Sequence, residues 1–310
     1  MRSPLQGGLP PVEAVAGAVV EIACDESGFS GTNLLHSSEP VITHASVDLS
    51  AGEAVGLITA LRSGFRFSPH EFKSGRFLRG PGVGEALEWF LAALTGRAHV
   101  HLVDKEFFLV TRVVDLLLTE PSYAAGTRLT QDHRPAALDL YRARRAGGSD
   151  WGVFLAAFVD LVRIKRRRPG RRNVEQFFQA RDALLRNGLG PDPVRAVLSR
   201  LDNDDRSIPP PLEPMLPALA ETVLFWSGGR RQVLVTHDEQ SALTADRLTR
   251  LRRVLAADGG VSPLAGLVMV DSRDDPRVQV ADLLAGVARR MPGIIGDALR
   301  SPTSLLDPEA

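Results

Sequence analysis

Apolar and polar positions alternate in ways that divide the chain into strands and helices. The run Val19-Val20-Glu21-Ile22-Ala23-Cys24 is almost wholly apolar and β-branched, then stops at Asp25-Glu26-Ser27-Gly28. Such a run predicts a strand covered on both faces, broken where glycine supplies an open backbone. Pro40 to Leu49 alternates and predicts a second strand. Ala51 to Ser63 carries Val55, Ile58 and Leu61 at intervals of three and predicts a short amphipathic helix. Val83 to Leu94 predicts another helix. His99 to Val110 predicts a strand pair or one long strand, continued by a helix over 111–118. Helices are expected at Trp151 to Ile164, Val174 to Leu185, Pro214 to Trp226, Ser241 to Ala257 and Val278 to Met291. Strands are expected at Gln232 to Thr236 and Leu264 to Val270. Strands alternating with helices predict a mostly parallel or mixed sheet with helices on its faces.

Punctuation sets the expected organisation. Met1 to Pro11, rich in Gly and Pro and without the apolar core of a signal peptide, reads as a loose tail, taken to extend to residue 18. Residues 120–211 change character and predict a basic helical insertion, with Asp202-Asn203-Asp204-Asp205 and Pro209-Pro210-Pro211 as a solvated linker back to the host. The host then comprises 19–119 and 212–292, and 293–310 reads as a C-terminal tail. No apolar run approaches the ~20 residues of a membrane span, so no membrane partner is expected. The single cysteine, Cys24, excludes an internal disulfide and suits a reducing, cytoplasmic setting.

Charge changes this picture. The chain has 37 basic and 37 acidic residues, net zero. Between Arg142 and Arg172, however, ten basic residues face only Asp150 and Asp160, so that segment is +8 and the remainder −8. A surface that meets a polyanion, separate from an acidic site that holds cations, would give this distribution. Arg163, Lys165, Arg166, Arg167, Arg168, Arg171 and Arg172 are the candidate nucleic-acid contacts, through phosphates, since few aromatics interleave them for stacking. A solvated helix end is the plain alternative.

Three predicted strands end in a carboxylate: Asp25, Asp238 and Asp271. Alone, each is an ordinary turn or helix-cap residue. If the strands are parallel neighbours, the three share one edge of the sheet, where open α/β sheets place their ligands. Close carboxylates repel unless a cation sits between them, and hard divalent ions such as Mg²⁺ or Mn²⁺ take oxygen ligands of this kind. Asp282 lies in the otherwise apolar or small segment Val278 to Ala288, so its charge needs a partner or a metal. Gln279 sits one turn earlier on the same face. Glu71 and Lys73, two residues apart, are candidates to complete the carboxylate set and to meet a phosphate. Lys105 is a candidate cation near the acidic site, with a surface ion pair as its alternative. His237 is a candidate for proton transfer or a structural histidine.

With Asp25-Glu26-Ser27-Gly28 at one end and Asp271-Ser272 followed by Gln279-Val280-Ala281-Asp282 at the other, the chain resembles a bacterial RNase H-like family catalogued as domain of unknown function number thirty-eight hundred. Glu71-Phe72-Lys73, the His101 to Lys105 strand and the strand ending at Asp238 look similar too. The likeness covers about Val19 to Lys105 and Gln232 to Met291. It implies an RNase H-like mixed sheet flanked by helices, and a metal-dependent nuclease with Asp25 and Asp282 as metal ligands and Asp238 or Asp271 beside them. A residue near Asp104 competes with Asp238 for that place.

The expected function is hydrolysis of phosphodiester bonds in DNA or RNA with Mg²⁺ or Mn²⁺, on a two-metal carboxylate site. Asp25, Asp282 and Asp238 are the expected metal ligands, with Glu71 or Asp271 completing the shell and Lys73 or Lys105 steadying the phosphate. The rivals are a non-catalytic nucleic-acid- or partner-binding protein on the same fold, and a metal-dependent small-molecule phosphatase.

Overall fold

The computed structural model describes the chain except residues 1–7, 12–17, 30, 32–33, 36–38, 65–72, 81, 164–173, 185–190, 257–259 and 307–310. In chain order the elements are β1 (Val19–Ser27), β2 (Val41–Val47), α1 (Ala51–Gly64), α2 (Ser74–Phe77), α3 (Val83–Ala93), β3 (Ala98–Asp104), α4 (Lys105–Leu117), α5 (Arg134–Arg142), α6 (Arg144–Val162), α7 (Val174–Leu184), α8 (Pro191–Asp202), α9 (Met215–Ser227), β4 (Gln232–Asp238), α10 (Ala245–Leu255), β5 (Leu264–Val270) and α11 (Pro276–Arg290). No helix among the described residues is long and apolar enough to cross a membrane.

The chain divides into two units. The first holds Met1–Phe29, Val41–Val103 and Ala218–Ser304; the second holds Ser30–Pro40, Asp104–Pro217 and Leu305–Ala310. The first unit is α/β, a five-stranded mixed sheet in the order β3-β2-β1-β4-β5 flanked by helices. β2 is antiparallel to β1, β4 is parallel to β1, and β5 is parallel to β4. Register sorts the side chains into two faces, because neighbours along a strand point oppositely. Asp25 stands opposite Ala45, whereas Cys24 stands opposite Ser46 and His237. Asp238, one residue past His237, therefore shares the Asp25 face. That face is covered by α11, whose Ala285 carbonyl accepts from Thr43 Oγ1 at 2.7 Å. The other face is covered by α9, where Trp226 Nε1 donates to Ser46 Oγ at 2.8 Å. Ile22, Ala23 and Cys24 are accordingly sealed from solvent.

Chain ends cover both edges of the sheet. Leu9 exchanges two backbone hydrogen bonds with Leu267 of β5, at 2.8 and 2.7 Å. Val100 of β3 does the same with Leu299 and Ser301, at 2.7 Å each. Both expected tails are corrected in part: Leu9 is paired, Leu299 and Leu305 are buried, and Thr303 hydrogen-bonds the buried Glu221. Covering an edge removes a template for pairing with other chains. Removal of residues 1–11 is expected to produce concentration-dependent association in light scattering, with helix content unchanged by circular dichroism.

The second unit is helical, and its long segment begins earlier than the expected insertion, at Asp104 instead of residue 120. The expected strand over residues 105–110 is a helix. Asp104 caps it, its carboxylate accepting from Phe107 N at 2.7 Å, and the apolar side chains that suggested a strand are buried all round the helix. The core of this unit is aromatic, with Phe107–Tyr141 centroids 5.1 Å apart and Phe154–Phe177 5.8 Å apart. Trp151 Nε1 is hydrogen-bonded to Glu106. The expected linker is packed here rather than solvated at Pro209 and Pro211, which are buried.

Candidate active site

The acidic site is built where β1 and β4 end. Asp25 is buried near the end of β1, and Glu26 follows it, paired in register with His44. Asp238 closes β4, with its Oδ1 accepting from Ser272 N at 2.9 Å. Asp282 enters from α11, where Gln279 and Asp282 are partly exposed between buried neighbours. Asp25 interacts electrostatically with Glu26, Asp282 and Asp238. Of the carboxylates singled out from the sequence, Asp238 and Asp282 thus act electrostatically on Asp25 in the first unit, and so does Glu26.

Burial sets their acidity first and repulsion second. Asp25 is raised well above the ordinary aspartate range by desolvation, then by Glu26, Asp282 and Asp238. Glu26 is raised from 4.5 to about 7, by desolvation and then by Asp238. The Glu26 backbone N–H donates to Asp25 Oδ1 at 2.7 Å, and Gln240 Nε2 donates to Glu26 Oε1 at 2.6 Å. The other Glu26 oxygen, Oε2, is buried without a hydrogen-bond partner. Asp238 is raised chiefly by desolvation, with Asp271 adding to it. Lys73 Nζ stands 3.9 Å from Asp282 Oδ2; the lysine is 56% exposed and the aspartate 25%.

The other expected residues fall out differently. Asp271 sits just past β5 and is held by Arg273, whose Nη2 donates to Asp271 Oδ2 at 2.7 Å. Glu71, Lys165, Arg166, Arg167, Arg168, Arg171 and Arg172 lie outside the described residues. Arg163 is described at the end of α6 in the second unit, 3.6 Å from Asp160. Lys105 also belongs to the second unit, where it is buried and its Nζ donates to the Glu39 carbonyl at 2.7 Å. Asp238 does not cap the following helix: α10 starts at Ala245, and Thr244 Oγ1 accepts from Arg247 N. His237 is structural. Its Nδ1 donates to the Asp238 carbonyl at 2.9 Å, leaving Nε2 to accept from His44 Nε2 at 3.2 Å, while His44 Nδ1 meets Thr222 Oγ1 at 2.9 Å. This buried chain runs from α9 along the sheet face beneath it to the backbone of Asp238. Both imidazoles are held neutral by burial, His237 lowered from 6.5 to about 4.

No family model, curated protein or solved structure matches this chain. The site is read from its own chemistry. Its donors are hard oxygens with one buried atom unsatisfied, which fits a divalent cation in kind. In geometry the set is not closed: among the described residues no three histidine, cysteine, aspartate or glutamate side chains are grouped to hold a metal ion.

Glu26 and His237 give opposite pH dependences over nearly the same range. Glu26 binds its proton more tightly in the folded chain, so its contribution to stability is full below 4.5 and is lost as pH rises through about 7. His237 binds its proton less tightly when folded, so its contribution is full above 6.5 and is lost as pH falls towards 4. Glu26→Gln should leave the histidine slope exposed. Melting temperatures of the metal-free variant should then rise between pH 4.5 and 6.5 more steeply than those of the wild type. Parallel profiles would count against the buried position of Glu26.

Proposed function

We propose that this chain is an RNase H-like, Mg²⁺- or Mn²⁺-dependent nuclease that hydrolyses phosphodiester bonds. The observation that carries the reading is the electrostatic coupling of Asp25 to Asp238 and Asp282, from two adjacent parallel strands and the helix over them, with Asp25 and Asp238 both made weaker acids than usual. The five-stranded mixed sheet flanked by helices supports the reading at the level of the α/β class.

Asp25, Asp238 and Asp282 would hold the metal, with Glu26 beside them. When bound, a divalent ion supplies an activated water and charge stabilisation at the phosphate. The chain's own residues do the rest. Lys73, paired with Asp282, places a point charge at the rim for a phosphate oxygen. Gln240 fixes the Glu26 carboxylate, and the Ser272 N–H fixes Asp238. Labelled single- and double-stranded DNA and RNA, each incubated with Mg²⁺, Mn²⁺ or EDTA, test the reading. Cleavage with metal, absent with EDTA, is the expected result. No cleavage of any of the four would overturn it. The non-catalytic reading draws on one observation, that no three carboxylates are grouped for a metal among the described residues. Salt-sensitive binding without cleavage would favour it.

A further inference from the structure

Beside the acidic site, α2 is a single turn with two distinct sides. Ser74 and Phe77 are buried, and Phe77 packs its ring 6.2 Å from that of Phe90 on α3. The hydrogen bonds Phe77 N to Lys73 O, Leu78 N to Ser74 O and Gly80 N to Phe77 O, at 3.1, 3.0 and 3.1 Å, keep the backbone turning as far as Gly80. Residues three apart then share a side. On the outward side these are Lys73, Arg76 and Arg79, all exposed. The turn is fixed to α11: Arg290 Nη1 donates to Ser74 Oγ at 2.6 Å and to the Gly286 carbonyl at 3.4 Å, and the exposed Arg290 extends the basic row. Four cations thus line a turn held in place on the helix that carries Asp282. The first of them is 3.9 Å from that carboxylate. Buried carboxylates would repel a polyphosphate, so a substrate of that kind needs an adjoining row of cations.

We infer that Lys73, Arg76, Arg79 and Arg290 form a rail that binds the phosphate backbone of a polynucleotide beside the acidic site. This rests on the nuclease reading for its substrate class. It assigns backbone contacts to this turn, whether or not the Arg163 to Arg172 run also contributes. Arginine contacts of this kind carry no base sequence and are strongly salt-dependent.

The test is metal-free binding of a fluorescein-labelled single-stranded DNA by the full chain between 0.05 and 0.3 M salt (~50–300 mM, the range where counterion release is read). Arg76→Ala/Arg79→Ala should lower the slope of log K against log salt by about 1.4, at ~0.7 per phosphate contact, and weaken binding on the order of tenfold at ~0.1 M salt. Arg76→Lys/Arg79→Lys should restore most of the slope. Arg252→Ala/Arg253→Ala removes the same charge from α10, the last turn of which holds both residues, and should leave the slope unchanged. An unchanged slope in the Arg76/Arg79 variant, an equal fall in the α10 variant, or no binding by the wild type would each overturn the rail. Cleavage scored in parallel separates the two readings. Cleavage with an unchanged slope removes the rail and leaves the nuclease. A lowered slope with no cleavage in any metal upholds the rail and removes the nuclease.

Discussion

Asp25→Asn and Asp282→Asn should each abolish metal-dependent cleavage, by about 10³-fold or more, while the metal-free proteins melt no lower than the wild type. The two effects have one cause. Removing a ligand forfeits several kcal/mol of charge stabilisation at the phosphate, and each 1.36 kcal/mol is tenfold in rate. The same carboxylate is a burden without metal. Asp25 is raised by burial and then by three carboxylate neighbours, so the stability it contributes is present at low pH and lost as pH rises through its folded value. An asparagine cannot ionise and escapes that loss. Asp25→Asn should therefore raise the melting temperature at pH 8 in EDTA by a few degrees, at about 2–4 °C per kcal/mol for chains of ~150–250 residues. Asp282 is more exposed and paired with Lys73, so its variant should gain less. A variant that is more stable and inactive cannot owe its inactivity to unfolding. Retention of wild-type cleavage by both would remove Asp25 and Asp282 from the site. Added Mg²⁺ or Mn²⁺ should reverse the order of stabilities, since only the wild type keeps the full ligand set.

How much of this was legible in the sequence follows from what each residue depends on. Asp25, Asp238 and Asp271 could be read as strand-end carboxylates because each follows an apolar run, and the run fixes the strand. Asp282 could be read because it breaks an apolar helix pattern. Their convergence was conditional on strand order, which no local pattern fixes; it comes from β4 pairing parallel to β1 across some two hundred residues. Glu26 was in plain view in the motif but not among the expected ligands. Alternation alone would send it to the far face, and only the Gln240 contact, the buried Oε2 and the influence of Asp238 tie it to the site. The strand expected over residues 105–110 failed because a helix buried on every side loses its amphipathic period and looks like a strand; the cap at Asp104 was the available signal. The tails failed for a different reason: edge-covering segments use backbone hydrogen bonds, which leave little trace in side-chain pattern. Ser74 and Gly286 were invisible as a pair, since nothing in either short segment announces the other.

That pair carries the second large expected effect. Gly286 lies inside α11, one turn past Asp282, and a β-carbon there would overlap Ser74 Oγ and Cβ. Helix propensity alone favours Gly286→Ala by about 1 kcal/mol, because alanine loses less backbone entropy. Overpacking opposes it by about 1–3 kcal/mol. A hydroxyl can rotate away, but Ser74 Cβ moves only with the α2 backbone, so α2 must lift from α11. The net stability change should be small, within about 2 kcal/mol. Cleavage should suffer more. Lys73 precedes Ser74 directly, so a shift of α2 carries its ammonium away from Asp282; a displacement of ~1 Å at a positioned group can cost about 10²-fold in rate. Gly286→Ala is thus expected to lose roughly ten- to a hundredfold in cleavage with a nearly native melting temperature. Ser74→Gly/Gly286→Ala, which vacates the overlapping atoms, should recover much of the rate, giving a non-additive cycle of the kind touching residues show. The Arg290 hydrogen bond to Ser74 Oγ is lost in that double variant, so recovery should be partial. Additive effects, or a Gly286→Ala variant that is more stable by the full ~1 kcal/mol and equally active, would mean that α2 is not seated on α11 through this contact.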